Sequence, residues 1–283
     1  STQGYSSAAS DVYKRQNSVY AINDFLAQGW DGSNNEIDLV TKTVEPRGDE
    51  KELAEITDLI GSYTTNFASS SAGRAKNVIT GVSKVDGTIL YPGEEFDLAK
   101  TVSPFTQENG YELAGAYQNG TVVESFGGGI CQVATTLYNA VIRAELEITM
   151  RFNHSMLVHY VEPSMDAAIA GNYKDLKFKN NLDAPVYIEG YCSGGIIYFN
   201  VYGKETRPSN REISFESETV SKTDPKVQFT MDASLTAGSV SVTQSGQSGC
   251  IAQLWKIVKV DGKQQSRDLF NKSNCLLNTS PSP

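Results

Sequence analysis

Histidine and cysteine are scarce in this 283-residue chain: two histidines, His154 and His159, and four cysteines, Cys131, Cys192, Cys250 and Cys275. That scarcity excludes a multi-histidine metal centre and a cysteine-rich zinc module, whose ligand sets need more residues at closer spacing. It also excludes a small disulfide scaffold, because four cysteines cannot stand in for a core over this length. His154 and His159 would point to opposite faces of a strand, and no Cys-x-x-Cys or His-x-x-x-His spacing occurs, so no metal site is expected. Nothing calls for a cofactor. No apolar run is long enough for a membrane span, and the start of the sequence lacks a signal-peptide pattern. A membrane link is expected only through an N-terminal anchor outside this sequence. Positive charge is also short, with 24 Lys and Arg against 33 Asp and Glu for a net charge of −9. That balance argues against nucleic acid as a partner.

The apolar fraction of 39% and the charged fraction of 20% suit a packed core, in one large domain or two ordinary ones. Residues 1–16 contain SSAASDVYKRQ, which resembles a translated adapter and is set aside as non-native. Residues 17–62 read as the end of a domain. Within them EPRGDEKELAEITDLI predicts a helix, with Leu53, Ile56, Leu59 and Ile60 at i, i+3, i+6 and i+7. Ala68 to Gly73 reads as a loop. Residues 63–207 form an α+β domain, and 208–225, polar and strand-poor, read as a linker. Residues 226–283 form a small all-β module with strands VQFTM, SVSVTQ and AQLWKIVKV and a hairpin turn at Val260 to Lys263.

Inside the central domain, KVDGTILYPGEEF reads as a hairpin with turns at Asp86-Gly87 and Pro92-Gly93. The clearest helix follows Gly127-Gly128-Gly129, with Val133, Leu137, Ala140, Val141 and Ala144 forming its apolar stripe. MRFNHSMLVHYV alternates and reads as a strand. Its period of two puts Phe152, His154, Met156, Val158 and Tyr160 on one face and Arg151, Asn153, Ser155, Leu157 and His159 on the other. Three more strands are expected in the run from Ala168 to Gly203.

The strongest chemical signal is Gly127-Gly128-Gly129-Ile130-Cys131-Gln132. A thiol at a helix N-terminus sits near the positive end of the macrodipole and beside unpaired N–H groups, which favours the thiolate. Those N–H groups, or the Gln132 amide, would stabilise an oxyanion formed on attack at a carbonyl. His154, 23 residues downstream, is the candidate base, and Asp166, 12 further on, the candidate orienting acid. Structural readings stand beside these. Cys131 also suits a small core residue, His154 a hydrogen-bonded core histidine, and Asp166 a turn cap. Arg151 is a candidate for a substrate carboxylate or else an ion-pair residue.

The same residues carry a resemblance. GGGICQVATTLYNAVIRAELEI with RFNHSMLVHYVEPSMDAAIA is similar to the VanW family of bacterial cell-envelope proteins. Arg74 to Asn77, Tyr91-Pro92-Gly93-Glu94 with Phe96, Gly110-Tyr111 and DLKFKNNLDAPVYIEG extend the likeness over roughly 63–203. Phe96-Asp97-Leu98-Ala99, Met150 before Arg151, and Met165 before Asp166 depart from the family pattern without touching the candidate site. The resemblance implies an antiparallel domain packed on the helix that starts near Cys131. It also implies a preceding YoaR-like peptidoglycan-binding domain, truncated here, and a following glycine-containing β-module of a kind associated with cell-wall amino sugars. By implication the protein is extracellular or wall-associated and its partner is peptidoglycan or its stem peptides.

Two functions are therefore open. One is a cysteine-dependent acyl-transfer or amide-hydrolysing enzyme with Cys131, His154, Asp166 and Gln132 as its catalytic set. Arg151, Ser155, Gly128 and Gly129 would then lie against the substrate. The other is a non-catalytic wall-binding protein in which Cys131 is structural. Cys250 and Cys275 flank the C-terminal module and would pair in an oxidising exterior.

Overall fold

Helical propensity, turn chemistry and cross-strand pairing divide the chain into two units, Ser1–Leu53 and Ala54–Pro283. The computed structural model describes residues 19–28, 48, 50–118, 121–171, 173–225, 231, 234–236, 238–241, 246 and 248–275. In the first unit these include helix α1 (residues 19–27) and the short α2 (Glu50–Leu53), which has no buried residue. Most of VQFTM and SVSVTQ, like residues 1–16 and the C-terminal tail, lies outside the described residues. Among the described residues no helix is long and apolar enough to cross a membrane.

The second unit is α+β. It runs β1 (Asp58–Asn66), α3 (Ala72–Val85), β2 (Thr88–Leu90), β3 (Glu95–Asp97), α4 (Leu98–Val102), β4 (Leu113–Gln118), β5 (Thr121–Phe126) and α5 (Ile130–Arg143). After these come β6 (Glu147–Met150), β7 (Lys177–Lys179), β8 (Val186–Ser193), β9 (Ile196–Gly203), β10 (Arg211–Thr223), β11 (Gly249–Val260) and β12 (Lys263–Cys275). The antiparallel sheets have the orders β1-β9-β8-β2, β3-β7-β6, β4-β5 and β10-β11-β12.

Helix α5 is the axis of this unit. Its apolar residues do more than form one stripe: Ile130 and every residue from Gln132 to Ile142 are buried, as expected of a helix enclosed on all sides. Strand β1 lies directly against it at Gly61, where a Cβ would come within 2.5 Å of the Ala140 carbonyl oxygen and the Ala144 nitrogen. Strand β9 alternates cleanly, turning Ile197, Phe199 and Val201 into the core. Helix α3 starts at the Ser71 cap, whose side chain accepts from the Arg74 N–H, and buries Val78, Val82 and Val85. Leu254 of β11, fully buried, joins the same core, with Phe215 and Phe270 packed against it. The C-terminal module therefore shares its interior with the central domain.

Several sequence readings give way to tertiary structure. Leu59 and Ile60, spaced as if helical, belong to β1: Leu59 pairs with Tyr202 of β9, and Ile60 sits at the bulge that follows, its carbonyl accepting from Arg207. The expected 84–96 hairpin does not close: β2 pairs with β8 and β3 with β7. Residues 151–161, expected as a strand, are irregular beyond β6. The 208–225 stretch holds β10, whose partner is β11. Its Ile213 and Phe215 mark an alternation too short to stand out among polar residues. The β8–β9 pair and the Val260 to Lys263 hairpin form as read.

A hub fixes the module to α5. That helix ends in a Schellman arrangement, with Glu145 N–H donating to the Ile142 carbonyl and Leu146 N–H to the Val141 carbonyl. Glu145 occupies the left-handed position (φ 58°) where glycine is usual. What holds a glutamate there is charge: Arg211 binds it through two bonds of 2.6 and 2.8 Å, and Lys256 bonds to it as well. Burial alone would raise its pKa, but Arg211 and Lys256 pull it down to about 2. With the folded value depressed, this contribution to stability is full above the ordinary carboxylate range and lost as pH falls toward about 2.

Cys250 and Cys275 face each other as cross-strand partners at the open ends of β11 and β12, both buried. Exposure to an oxidised dithiol should join them by thiol–disulfide exchange. Non-reducing peptide mapping should find a Cys250–Cys275 bridge. Both thiols remaining alkylatable after that treatment would refute the pairing.

Candidate functional site

The site is assembled around the first turn of α5, and three glycines make that turn possible. Gly129 caps the helix with φ 111°, a conformation that costs an L-residue heavily. Gly128 is needed for closeness instead, since a Cβ there would stand 2.8 Å from the carbonyl oxygens of Ala114 and Gly115. Asn77, fully buried, fastens the turn: its Nδ2 donates to the Gly128 and Glu112 carbonyls, and its Oδ1 accepts from the Glu112 N–H. The glycines thus position the helix. Gly128 meets the protein's own backbone rather than facing outward as a substrate contact.

Two polar stripes run down α5. Cys131, Thr135 and Asn139 recur every four residues and meet the 165–169 segment. The Cys131 thiol donates to the Ile169 carbonyl at 3.4 Å. Thr135 Oγ1 exchanges bonds with the Ala167 carbonyl and N–H at 3.1 and 3.0 Å. Asn139 Nδ2 donates to the Met165 carbonyl at 2.7 Å. This ladder brings Asp166 to the cysteine without any regular strand. The second stripe, Gln132 and Thr136, faces β1: Gln132 Nε2 donates to Thr65 Oγ1 and the Asn66 carbonyl, at 3.1 and 2.9 Å. Gln132 Oε1 accepts from Arg74 Nη2 at 2.8 Å. With both amide protons engaged and the residue 1% exposed, Gln132 braces the helix start and has no free donor for an oxyanion.

Cys131, His154 and Asp166 come together in that order. The imidazole lies close enough to the Cys131 side chain for each group to shift the other's titration. Its Nδ1 lies 2.6 Å from Asp166 Oδ2, which also accepts from the His154 backbone N–H at 2.6 Å. One carboxylate oxygen thereby fixes both the ring and its backbone. Burial pushes the Cys131 thiol up, but the hydrogen bond and charge of His154 outweigh it and the net shift is downward. For His154 burial pulls down, yet Asp166 and Cys131 raise the imidazole to about 9. Asp166 is held below its ordinary value despite burial, through His154 and Arg151. The three shifts favour one state, thiolate beside imidazolium with an ionised acid behind.

Arg151 does not reach outward. Its side chain, 7% exposed, donates through Nε to the Asp166 carbonyl at 2.7 Å and through Nη2 to Asp166 Oδ1 at 2.9 Å. The same Nη2 reaches Ser273 Oγ of β12 at 3.0 Å. Arg151 is therefore the ion-pair partner that keeps Asp166 charged while buried, and the substrate-carboxylate role is withdrawn. Ser155 is exposed beside His154, and His159 is exposed as well.

Two contributors escaped the sequence reading of the site. Tyr160 sets its ring at right angles to the imidazole with centroids 6.5 Å apart. Burial raises its pKa. Its only sequence signal was a shared face with His154. The end of β12 is the other. Ser164, buried with φ 70°, donates to Asn271 Oδ1 at 2.7 Å and lies 2.9 Å from Ser273 Oγ. Asn271 Nδ2 donates to the Tyr138 hydroxyl, and the Cys275 thiol to the His154 carbonyl at 3.6 Å. The C-terminal module thus braces the back of the histidine loop.

Comparison with known proteins agrees with this division of the chain. Residues 73–202 match the family model described as VanW like protein, and residues 215–274 match the G5 domain. The chain is 33% identical over 182 residues to the uncharacterized protein YoaR of Bacillus subtilis, covering 64% of this chain and 60% of that protein. It is 26% identical over 118 residues to the vancomycin B-type resistance protein VanW of Enterococcus faecalis, covering 40% and 42%. The chain therefore spans less than two thirds of either relative. No solved structure matches it. The chain therefore joins a VanW-like domain, built on the glycine turn and Cys131, to a G5 domain braced against its histidine loop, and is similar to YoaR.

Proposed function

We propose that this protein acts on peptidoglycan at the bacterial cell surface as a cysteine-dependent acyl-transfer or amide-hydrolysing enzyme. The observation that carries the reading is the grouping of Cys131, His154 and Asp166, with the imidazole bonded to the carboxylate and the thiol at a helix N-terminus. The wall substrate and the extracellular setting rest on the similarity to the VanW and G5 families.

The Cys131 thiolate attacks an amide carbonyl carbon, forming an S–C bond and an oxyanion. The Cys131 N–H, at the second position of α5, is the donor best placed for that charge. Imidazolium at His154 gives its proton to the departing amine as the C–N bond breaks, leaving an acyl thioester. Water or a second amine then attacks, with His154 taking the proton, and the thiolate is released. Asp166 holds the ring, and Arg151 keeps Asp166 ionised.

The Ile169 bond favours a second reading, in which Cys131 is merely the top rung of the ladder formed with Thr135 and Asn139. Acyl-enzyme trapping separates the two. After incubation with cross-linked muropeptides and an acid quench, the Cys131 peptide should carry an acyl adduct, lost in Cys131→Ser. Sacculus binding with neither adduct nor cleavage, and equal in Cys131→Ser, would establish the non-catalytic reading instead.

A further inference from the structure

The opposite end of α5 from Cys131 opens into a cleft. Its wall includes Ile60, Ser62, Arg143, Arg207, Arg211 and Ile213, around a volume of ≈ 420 Å³. At 1.5 Å per residue, Arg143 lies about 18 Å along the helix from Cys131, so the cleft is separate from the thiol. Its charges are unevenly matched. Arg207 pairs with Glu205 at 2.5 Å and also donates to the carbonyls of Arg143 and Ile60. Arg211 and the nearby Lys256 are both taken up by Glu145. Glu212, the other acid on the wall, is exposed and joins no ion pair among the described residues.

Arg143 is the exception. Among the described residues no carboxylate lies within ion-pair distance of it, and its side chain donates from Nη1 to the Asn139 carbonyl and Oδ1 at 2.8 and 3.2 Å. Its guanidinium centre sits 4.4 Å from the Tyr63 ring centroid and 5.6 Å from that of Phe215. Aromatic faces hold a guanidinium well but do not neutralise it. A half-buried cation without an anion, beside an open cavity, is a costly arrangement unless the anion arrives with a ligand.

We propose that this cleft binds a carboxylate-bearing ligand, gripped by the edge of the Arg143 guanidinium that Asn139 leaves free. A carboxylate fits the planar fork bidentately. Arg143 is the cation of this wall with no acid in reach, and Ile60, Pro208 and Ile213 add apolar contact, which suits a single negative charge on a compact body, whereas a phosphate polymer would need several free cations in a row. The site anchors its ligand and does no chemistry on it. It does not depend on Cys131 being catalytic.

Saturation-transfer NMR and calorimetry on the full chain test this with two amino sugars, N-acetylmuramic acid and N-acetylglucosamine, which differ in the lactyl carboxylate. The acid should bind at least about tenfold more tightly than the neutral sugar. Arg143→Gln should remove that preference, and Ser62→Trp, which fills the cleft from an exposed position, should weaken binding without touching Arg143. Neither variant should change Cys131 alkylation, which reports an intact fold. Equal binding of the two sugars would overturn the proposal, as would undiminished binding in both variants. Displacement of the acid by inorganic phosphate at lower concentration than by lactate would assign the cleft to phosphate instead and overturn it too.

Discussion

Replacing His154 with alanine is expected to cut the alkylation rate of Cys131 at pH 6.5 by at least about tenfold, read by mass spectrometry on the Cys131 peptide. An ordinary thiol with a pKa of about 8.5 is only about 1% thiolate at that pH. In the native site the imidazolium persists to about pH 9 and holds the neighbouring thiol in its charged form. Once it is gone, burial, the largest influence on Cys131 and one that raises its pKa, is left with little to oppose it. The rate profile should then become one titration at or above the ordinary thiol value. Cys192 and Cys275 are internal references, since burial pushes each up to about 11, and they should stay slow in both proteins. Lower intrinsic nucleophilicity of a low-pKa thiolate trims the expected ratio but does not reverse it. Equal Cys131 rates in the two proteins at pH 6.5 would mean that the imidazole does not activate the sulfur.

Gly128→Ala should be the most damaging single methyl in the site. The added carbon would stand 2.8 Å from two backbone oxygens of β4, which cannot rotate aside as a side chain would. Relief requires the turn or the strand to move, at a cost of about 2–3 kcal/mol. For a unit of this size that is a fall in Tm of about 4–12 °C. The same movement would pull the Gly128 carbonyl from Asn77 and shift the first turn of α5, so Cys131 reactivity at neutral pH should fall with stability. A variant as stable as the parent would show that the close approach at Gly128 carries no such strain.

How much of this was legible beforehand depended on whether the stabilising partners were close in sequence. The glycine turn, α5 and its cysteine are local features, written in a few consecutive residues. So are the β8–β9 pair and the hairpin at Asp261-Gly262. The 151–161 segment was misread because its alternation of aromatic and apolar residues imitates a strand, and with the residues up to Ile169 it is irregular. Its backbone is held instead by Thr135, Asn139 and Asp166, which no local pattern announces. Of the two roles open to Arg151, the ion pair is the one the fold supplies, and the sequence could not choose between them because one of its partners, Ser273, is 122 residues away. Gln132 sits where an oxyanion donor belongs, but Thr65, Asn66 and Arg74 already occupy its amide. Strand β10 looked like a linker because its exposed, polar sequence gains order mainly from β11. Even so, His154 reached Cys131, since the order Cys, His, Asp survived the loss of the strand expected to carry it.

The central claim is that Cys131 rests as a thiolate paired with an imidazolium. The most direct measurement is the thiolate absorbance of the parent minus that of Cys131→Ser, followed across pH. A difference signal already present well below the ordinary thiol range, and abolished at those pH values by His154→Ala, is the predicted result. A signal that appears only at or above about pH 8.5 in the parent would contradict it.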